Sequence, residues 1–403
     1  MELLCQLFQK EGLQVPIVVG GATTSMVHTA VKLAPLYEGG VIYGGDASQT
    51  SLLAKRLQTD AETTIAQVKA EQQELRDAYE EHHAPLVSYQ EANELGMRTR
   101  NATLCSAENL ECGMVGDHSP ITIPLSSLEP LIDWRMFLLF WGFKGETLQQ
   151  LLVNPEAERT LKEGKEYLQR AINEGSIEAK ALLHILPATR RGNDIVLAGF
   201  PGENSADEGP VLAGSAGEVI LPMLRSQSAP GHYRCLADYY DEQHLSPIGL
   251  FTVVARPKVT PVGEPDRLMS HALCARLAEA AAEWLGGRFS RSQSPCDDGS
   301  AEPSPDPHHS PLRVAFGYAT CPDHSLKRIV FNLLDAERQL DITLTDHYSI
   351  QPSTSICGLF ICHPEARYFP VGRIDREQLE DYCRRRGITT AEGEQLLSKY
   401  IAH

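Results

Sequence analysis

A chain of 403 residues supports two or three domains with a sizeable core, and 42% hydrophobic with 22% charged residues is ordinary for a globular protein. The formal charge of −17 disfavours a nucleic-acid partner, which needs a basic face. No apolar run approaches the roughly 20 residues of a membrane span, and the opening Met1-Glu2-Leu3-Leu4 lacks the basic region of a signal peptide, so a cytoplasmic protein is expected.

Residues 1–59 alternate helix and strand. The pattern predicts a helix over 3–12, a strand over 15–21, a helix over 28–37, a strand over 40–43 and a helix over 51–57. Short glycine turns between them argue for parallel pairing, as in a Rossmann-like sheet. Two strands are too few for a complete doubly wound sheet, so 1–59 reads as the C-terminal part of an α/β domain. Residues 60–82 are charged and helix-compatible, and 83–117 carry little periodicity. Together 60–117 read as a connecting helix and a linker.

From about residue 118 to 403 the strand–helix alternation stops. Leu161, Leu168 and Ile172 fall on one helix face. Residues 182–186 and 195–197 flank Arg191-Gly192-Asn193-Asp194, which reads as a hairpin turn. Across 270–285, Leu273, Leu277, Ala280 and Trp284 form one stripe, with Gly286-Gly287 as the expected stop. "SICGLFICHPEARYFPVGRI" reads as two strands around a turn, and Asp375 with Gln378 marks the start of a final helix. The expected fold class is therefore α+β, with a mainly antiparallel sheet and helices, preceded by a partial parallel α/β unit. Between Arg288 and Leu312 a stretch dense in Ser, Pro and Asp predicts a disordered loop.

Ten cysteines lie at irregular spacing without a CxxC. The closest pairs, Cys105 with Cys112 and Cys357 with Cys362, have no accompanying histidine pattern. Free, mostly buried thiols are expected, and no metal site.

Several blocks resemble a known family. "VPIVVGGATTSMVHTAVK" and "VIYGGDASQT" are similar to the end of the cobalamin-binding domain of cobalamin-dependent methionine synthase. "LIDWRMFLLFWGFKG", "YRCLADYY", "HALCARLAEAAAEWL", "LRVAFGYATCPDH" and "HPEARYFPVGRI" resemble, in the same order, its C-terminal activation domain. The resemblance implies S-adenosylmethionine and cobalamin as cofactors. It implies a methyltransferase part in methionine biosynthesis that remethylates cob(II)alamin reductively, with an electron from a flavodoxin-like reductant. The partner implied is a cobalamin-bearing methionine synthase polypeptide, or N-terminal domains outside this chain.

The ammonium of S-adenosylmethionine calls for a carboxylate, and its carboxylate for a guanidinium. The resemblance assigns these to Asp133 and Arg313, although Asp133 equally suits the N-cap of the helix that follows it. Arg313 opens an R-x-x-x-G-Y loop in which Ala315 offers main-chain contacts, Gly317 allows close backbone approach and Tyr318 supplies an aromatic face. Tyr368-Phe369 match a tandem aromatic pair of the ligand site, with Phe where Tyr is usual; such a pair on a strand also divides between core and surface. Glu279 matches a ligand-site glutamate, yet Arg276, Glu279 and Glu283 also read as a salt-bridged solvent face. No catalytic acid, base or nucleophile is expected, because the chemistry asks for positioning. On the cobalamin side the resemblance implies Gly20, Gly21 and Ala47, in the GGATTS turn and in Asp46-Ala47-Ser48.

Departures from the family bound this reading. The axial D-x-H-x-x-G has no counterpart, since Asp306-Pro307-His308 lacks the glycine. The homocysteine and folate domains are absent, and low-complexity sequence replaces the family segment ahead of Arg313. A second reading follows: a non-catalytic docking module for a cobalamin protein, with a degenerate S-adenosylmethionine pocket.

Overall fold

The computed structural model describes residues 1–20, 24–45, 47–83, 85–96, 119–198, 218–229, 231–291 and 311–402. They form two compact units: Met1–Val87 with Ser228–Pro230, and Ser88–Gln227 with Gly231–His403.

In the first unit β1 (Ile17–Gly20) and β2 (Val41–Gly45) pair in parallel, as the glycine-punctuated alternation predicts. Residues 28–37 are not one helix. Met26–His28 is α-helical, Thr29–Leu33 widens into a π-helix and Ala34–Leu36 tightens into a 3-10 turn. Pro35 has no N–H to continue the ladder, which ends the helix there. Tyr37 then closes the return: its ring is buried and its hydroxyl donates to the Val15 carbonyl at 2.7 Å. The helices Ala47–Thr59 and Ala61–His83 complete this unit.

The second unit opens with a helix, Tyr89–Leu95, inside the stretch read as linker. Ser88 caps it by accepting from the Glu91 amide at 3.1 Å. Its sheet uses β3 (Ile121–Thr122), β4 (Ile177–Arg191), β5 (Asp194–Leu197), β6 (Val219–Pro222), β7 (Ser246–Pro257) and β8 (Leu312–Ala315). A small separate pair follows, β9 (Thr343–Leu344) and β10 (Ile350–Gln351), before β11 (Ser355–Ile361) returns to the sheet. Among the described residues the sheet has seven strands in the order β6-β5-β4-β7-β11-β8, with β3 beside β4, and every pair is antiparallel. The fold is α+β, as the sequence implied.

Alternation along the strands builds two cores. Leu182 and Leu186 of β4, Leu250 and Val254 of β7, and Leu359 of β11 face one side. Ala181, Ile185, Phe251, Val253 and Phe360 face the other. With both faces buried, the central strand β7 is a near-continuous apolar run, the pattern of a sheet covered on both sides. One cover includes Leu326–Leu334 and Arg376–Arg386. The other comprises Trp134–Phe140, Pro155–Glu174 and the long helix Glu264–Arg291.

Local signals set the boundaries. Asn154 caps Pro155–Glu174, accepting from the Glu156 amide at 2.9 Å, Pro155 opens the helix, and Gly175 at φ 62° ends it. The expected hairpin is present, with Arg191 paired to Asp194 across Gly192-Asn193. Three further expectations fail. The long helix runs through Gly286-Gly287 to Arg291, so the glycines are not a stop. "SICGLFICHPEARYFPVGRI" holds one strand, because past Ile361 the chain turns and packs as irregular structure. The helix capped by Asp375, Arg376–Arg386, is followed by another, Thr390–Leu396. The expected disordered loop lies largely outside the described residues; at its flanks the helix persists to Arg291 and β8 begins at Leu312.

Candidate functional site

Arg313 lies on β8, the sheet's edge strand, opposite Phe360 of β11. Val314 points into one core, so its neighbours Arg313 and Ala315 turn to the face covered by the long helix. There Glu279 meets Arg313: the carboxylate accepts from Nη2 at 2.9 Å, with both side chains partly exposed. An ion pair this exposed contributes about 0.2–1 kcal/mol to stability, so its main effect is to orient the guanidinium. The other nitrogen, Nη1, is buried and has no hydrogen-bond partner among the described residues. The guanidinium is thus tethered on one side and carries a buried, unsatisfied donor on the other.

Beyond β8 the chain makes a tight turn. The Gly317 amide donates to the Cys321 carbonyl at 2.7 Å, and the Cys321 amide to the Tyr318 carbonyl at 2.9 Å. Gly317 sits at φ 90°, and a Cβ there would come within 1.9 Å of the His324 ring, so only glycine fits. Tyr318 is 61% exposed at this turn. The segment bearing the aromatic pair runs alongside. Thr320 Oγ1 donates to the Phe369 carbonyl at 2.6 Å and the Val371 amide to the Ala319 carbonyl at 2.8 Å. The pair divides: Tyr368 is 52% exposed, whereas Phe369 is buried and packs into the core. Arg313, Glu279, Ala315, Tyr318 and Tyr368 thus lie on connected elements.

Asp133 is the N-cap of Trp134–Phe140, accepting from the Met136 amide at 3.1 Å, and is exposed. Its helix packs on the long helix that carries Glu279, with Phe140 against His271 at 6.0 Å. Among the described residues its carboxylate forms no hydrogen bond or ion pair with Arg313 or Glu279.

In the first unit Gly20 ends β1 and pairs with Gly45, so two glycine-bearing strand ends lie side by side. Among the described residues a Cβ on Gly20 would meet only the Gly45 carbonyl, at 3.7 Å. Gly21 lies outside the described residues, as do Asp306 and His308; Ala47 is the first residue of Ala47–Thr59. No cluster of His, Cys, Asp or Glu among the described residues is arranged to hold a metal ion.

The remaining polar chemistry is structural. A cleft of about 420 Å³ in the second unit is bordered by Tyr89, Arg190, Asn193, Asp381 and Arg385. Its groups satisfy one another: Tyr89 donates to Asp381 at 2.7 Å, Asn193 Nδ2 donates to the Tyr89 hydroxyl at 2.8 Å, and Arg385 pairs with Asp381 and Asp194. Six of the seven described cysteines are buried, and burial raises Cys235 to about 11 and Cys274 to about 12. Those thiols stay protonated and inert near neutrality, in line with the free, buried thiols expected.

Residues 124–387, well over half of the chain, match the family model described as "Vitamin B12 dependent methionine synthase, activation domain". The chain belongs to this family. The activation-domain match takes in every candidate position from Asp133 to Phe369. A crystal structure of the MetH reactivation domain bound to AdoHcy is similar in fold, with a TM-score of 0.63 and 24% identity. The likeness covers 79% of this chain and 99% of that one. Within this activation domain His324 is the residue that sequence reasoning missed. The block that carries Arg313, Gly317 and Tyr318 ends on His324, but only the folded turn brings its ring against Gly317.

Proposed function

We propose that this activation domain binds S-adenosylmethionine and presents its methyl group for the reductive remethylation of cobalamin. One observation carries the reading: Glu279 holds Nη2 of Arg313 while the buried Nη1 is left without a partner among the described residues. In this reading Arg313 grips the ligand carboxylate and Asp133 receives its ammonium. The outer edge of β8 offers main-chain groups at Ala315, and Tyr318 and Tyr368 supply exposed aromatic faces. Glu279 orients Arg313, and Phe369 supports Tyr368 from the core. Binding and alignment of the sulfonium are what these residues contribute; no proton transfer is required of them. Bound cobalamin supplies the cobalt centre that takes the methyl group. Gly20, Gly21 and Ala47 border it from this chain, and the cobalt ligand comes from a methionine synthase polypeptide outside it. The electron comes from a flavodoxin-like reductant in the cytoplasm, and the product serves methionine biosynthesis.

Calorimetric titration of the full chain with S-adenosylmethionine tests this. The parent binds, and Arg313→Ala lowers affinity roughly ten- to a hundredfold, the equivalent of about 1.5–3 kcal/mol for a charged hydrogen bond. Absence of binding heat in the parent would leave the docking-module reading instead.

A further inference from the structure

His324 is exposed beside the turn that carries Tyr318, and nothing in the reading above gives it a role. Its ring stands where a Gly317 side chain would be: a Cβ on Gly317 would lie 1.9 Å from Cε1, 2.2 Å from Nδ1 and 2.4 Å from Nε2. The imidazole, which is exposed to solvent on its other side, therefore packs against the R-x-x-x-G-Y turn at Gly317. Its own position is fixed where the Lys327 ammonium donates to Nδ1 at 2.8 Å and to the Tyr348 carbonyl at 2.9 Å. An ammonium can donate only to an imidazole nitrogen with a free lone pair, so this bond requires the ring to be neutral at Nδ1.

We propose that His324 is a positioning residue for the turn Gly317–Cys321, and that only its neutral form holds Tyr318 in place for the ligand. The proposal rests on the S-adenosylmethionine reading for its ligand, but not for its geometry. Protonation would set an imidazolium N–H against the Lys327 ammonium, turning a hydrogen bond into a like-charge contact and lifting the ring from the turn.

The charged neighbours agree in sign. Partial burial, then Lys327, hold His324 below its ordinary value of 6.5; Lys399 acts in the same direction and Asp323 opposes them. Lys327 is itself lowered by burial, against Cys357 and Asp323. Cys357, on β11, is pushed up to about 12, so its thiol stays neutral and adds no charge. A lowered histidine means the folded turn prefers the neutral ring. The hold is complete above the ordinary value and is lost as pH falls through the lowered one.

The test uses the full chain, S-adenosylmethionine calorimetry at about pH 7.5 and about pH 5.5, and histidine and glycine NMR. The parent is expected to lose affinity at the lower pH, by less than about tenfold because the ring titrates below its ordinary value. His324→Ala should bind about tenfold more weakly at the higher pH and show no further loss at the lower. His324→Asn, which keeps an acceptor for Lys327, should recover part of the affinity without the pH slope. Variants that retain both the parent affinity and the parent slope overturn the proposal. If the parent binds nothing at either pH, the ligand reading fails while the NMR arm still decides this one. There the Gly317 amide must titrate with the same midpoint as the His324 ring, and an amide that ignores that titration refutes the positioning role.

Discussion

Asp133 places two demands on one carboxylate. It caps Trp134–Phe140 through the Met136 amide, and in the proposed site it also receives the ligand ammonium. The two roles separate by substitution, because serine caps nearly as well as aspartate but carries no charge. Asp133→Ser should leave thermal stability within a few tenths of a kcal/mol of the parent, whereas Asp133→Ala should cost about 1 kcal/mol. Both should weaken S-adenosylmethionine binding roughly tenfold or more by calorimetry. A serine variant of unchanged affinity would reduce Asp133 to a cap. The cap was legible because it depends on residues three apart. The Arg313–Glu279 pair was not, since Glu279 was read as a ligand contact or as part of a salt-bridged face with Arg276 and Glu283, and only the fold joins that helix face to an edge strand. Tyr368 and Phe369 divided as an extended aromatic pair does, but which one faces the core is fixed by the hydrogen bonds to Ala319 and Thr320.

At the scale of elements, glycine decides where the sequence reading held and where it failed. A glycine ends a helix when it takes a left-handed conformation just past it, as Gly175 (φ 62°) and Gly387 (φ 69°) do. Gly286 and Gly287 have no positive φ; they stay helical, and Gly286 lets the long helix approach Phe360, whose Cε1 would lie 3.4 Å from an added Cβ. Gly287 is exposed, with only the Arg291 guanidinium at 3.8 Å from an added Cβ. Gly287→Ala should therefore stabilise the protein by about 0.5–1 kcal/mol through the helix alone. Gly358→Ala should do the reverse. Its Cβ would lie 2.2 Å from the Val314 carbonyl, a backbone atom that cannot rotate away, so β8 must move off β11. A loss of about 1–3 kcal/mol is expected, with weaker S-adenosylmethionine binding because β8 carries Arg313. Urea unfolding and calorimetry on the two variants check both signs.

For the second unit as a whole, the α+β class and mainly antiparallel pairing were expected from the sequence, but the central strand β7, the two cores and the polar tie that joins its segments were not. Arg225 is 1% exposed. Its guanidinium donates to both oxygens of Asp238 (2.8 and 2.6 Å), to Asn193 (2.7 Å), to Asn93 (3.1 Å) and to the Tyr233 carbonyl (2.6 Å). Its own amide donates to Gln378 at 2.6 Å. One side chain thus links Tyr89–Leu95, the β4–β5 turn and the 233–238 segment, and its backbone adds Arg376–Arg386. In sequence an Arg and an Asp default to the surface, because burying either alone is costly. Only the matched partner, many residues away, makes the burial tolerable. That asymmetry sets the prediction. Asp238→Ala strands Arg225 as an uncompensated buried cation and takes an ion-pair partner from the partly exposed Arg190; the expected cost is about 3–5 kcal/mol in urea unfolding with an unchanged slope. Removing both charges in Arg225→Met with Asp238→Leu should cost less than the single Asp238 change, because no unpaired guanidinium remains at position 225. A single variant that loses less than about 1 kcal/mol would show that water reaches Arg225 and that the tie is not a buried one.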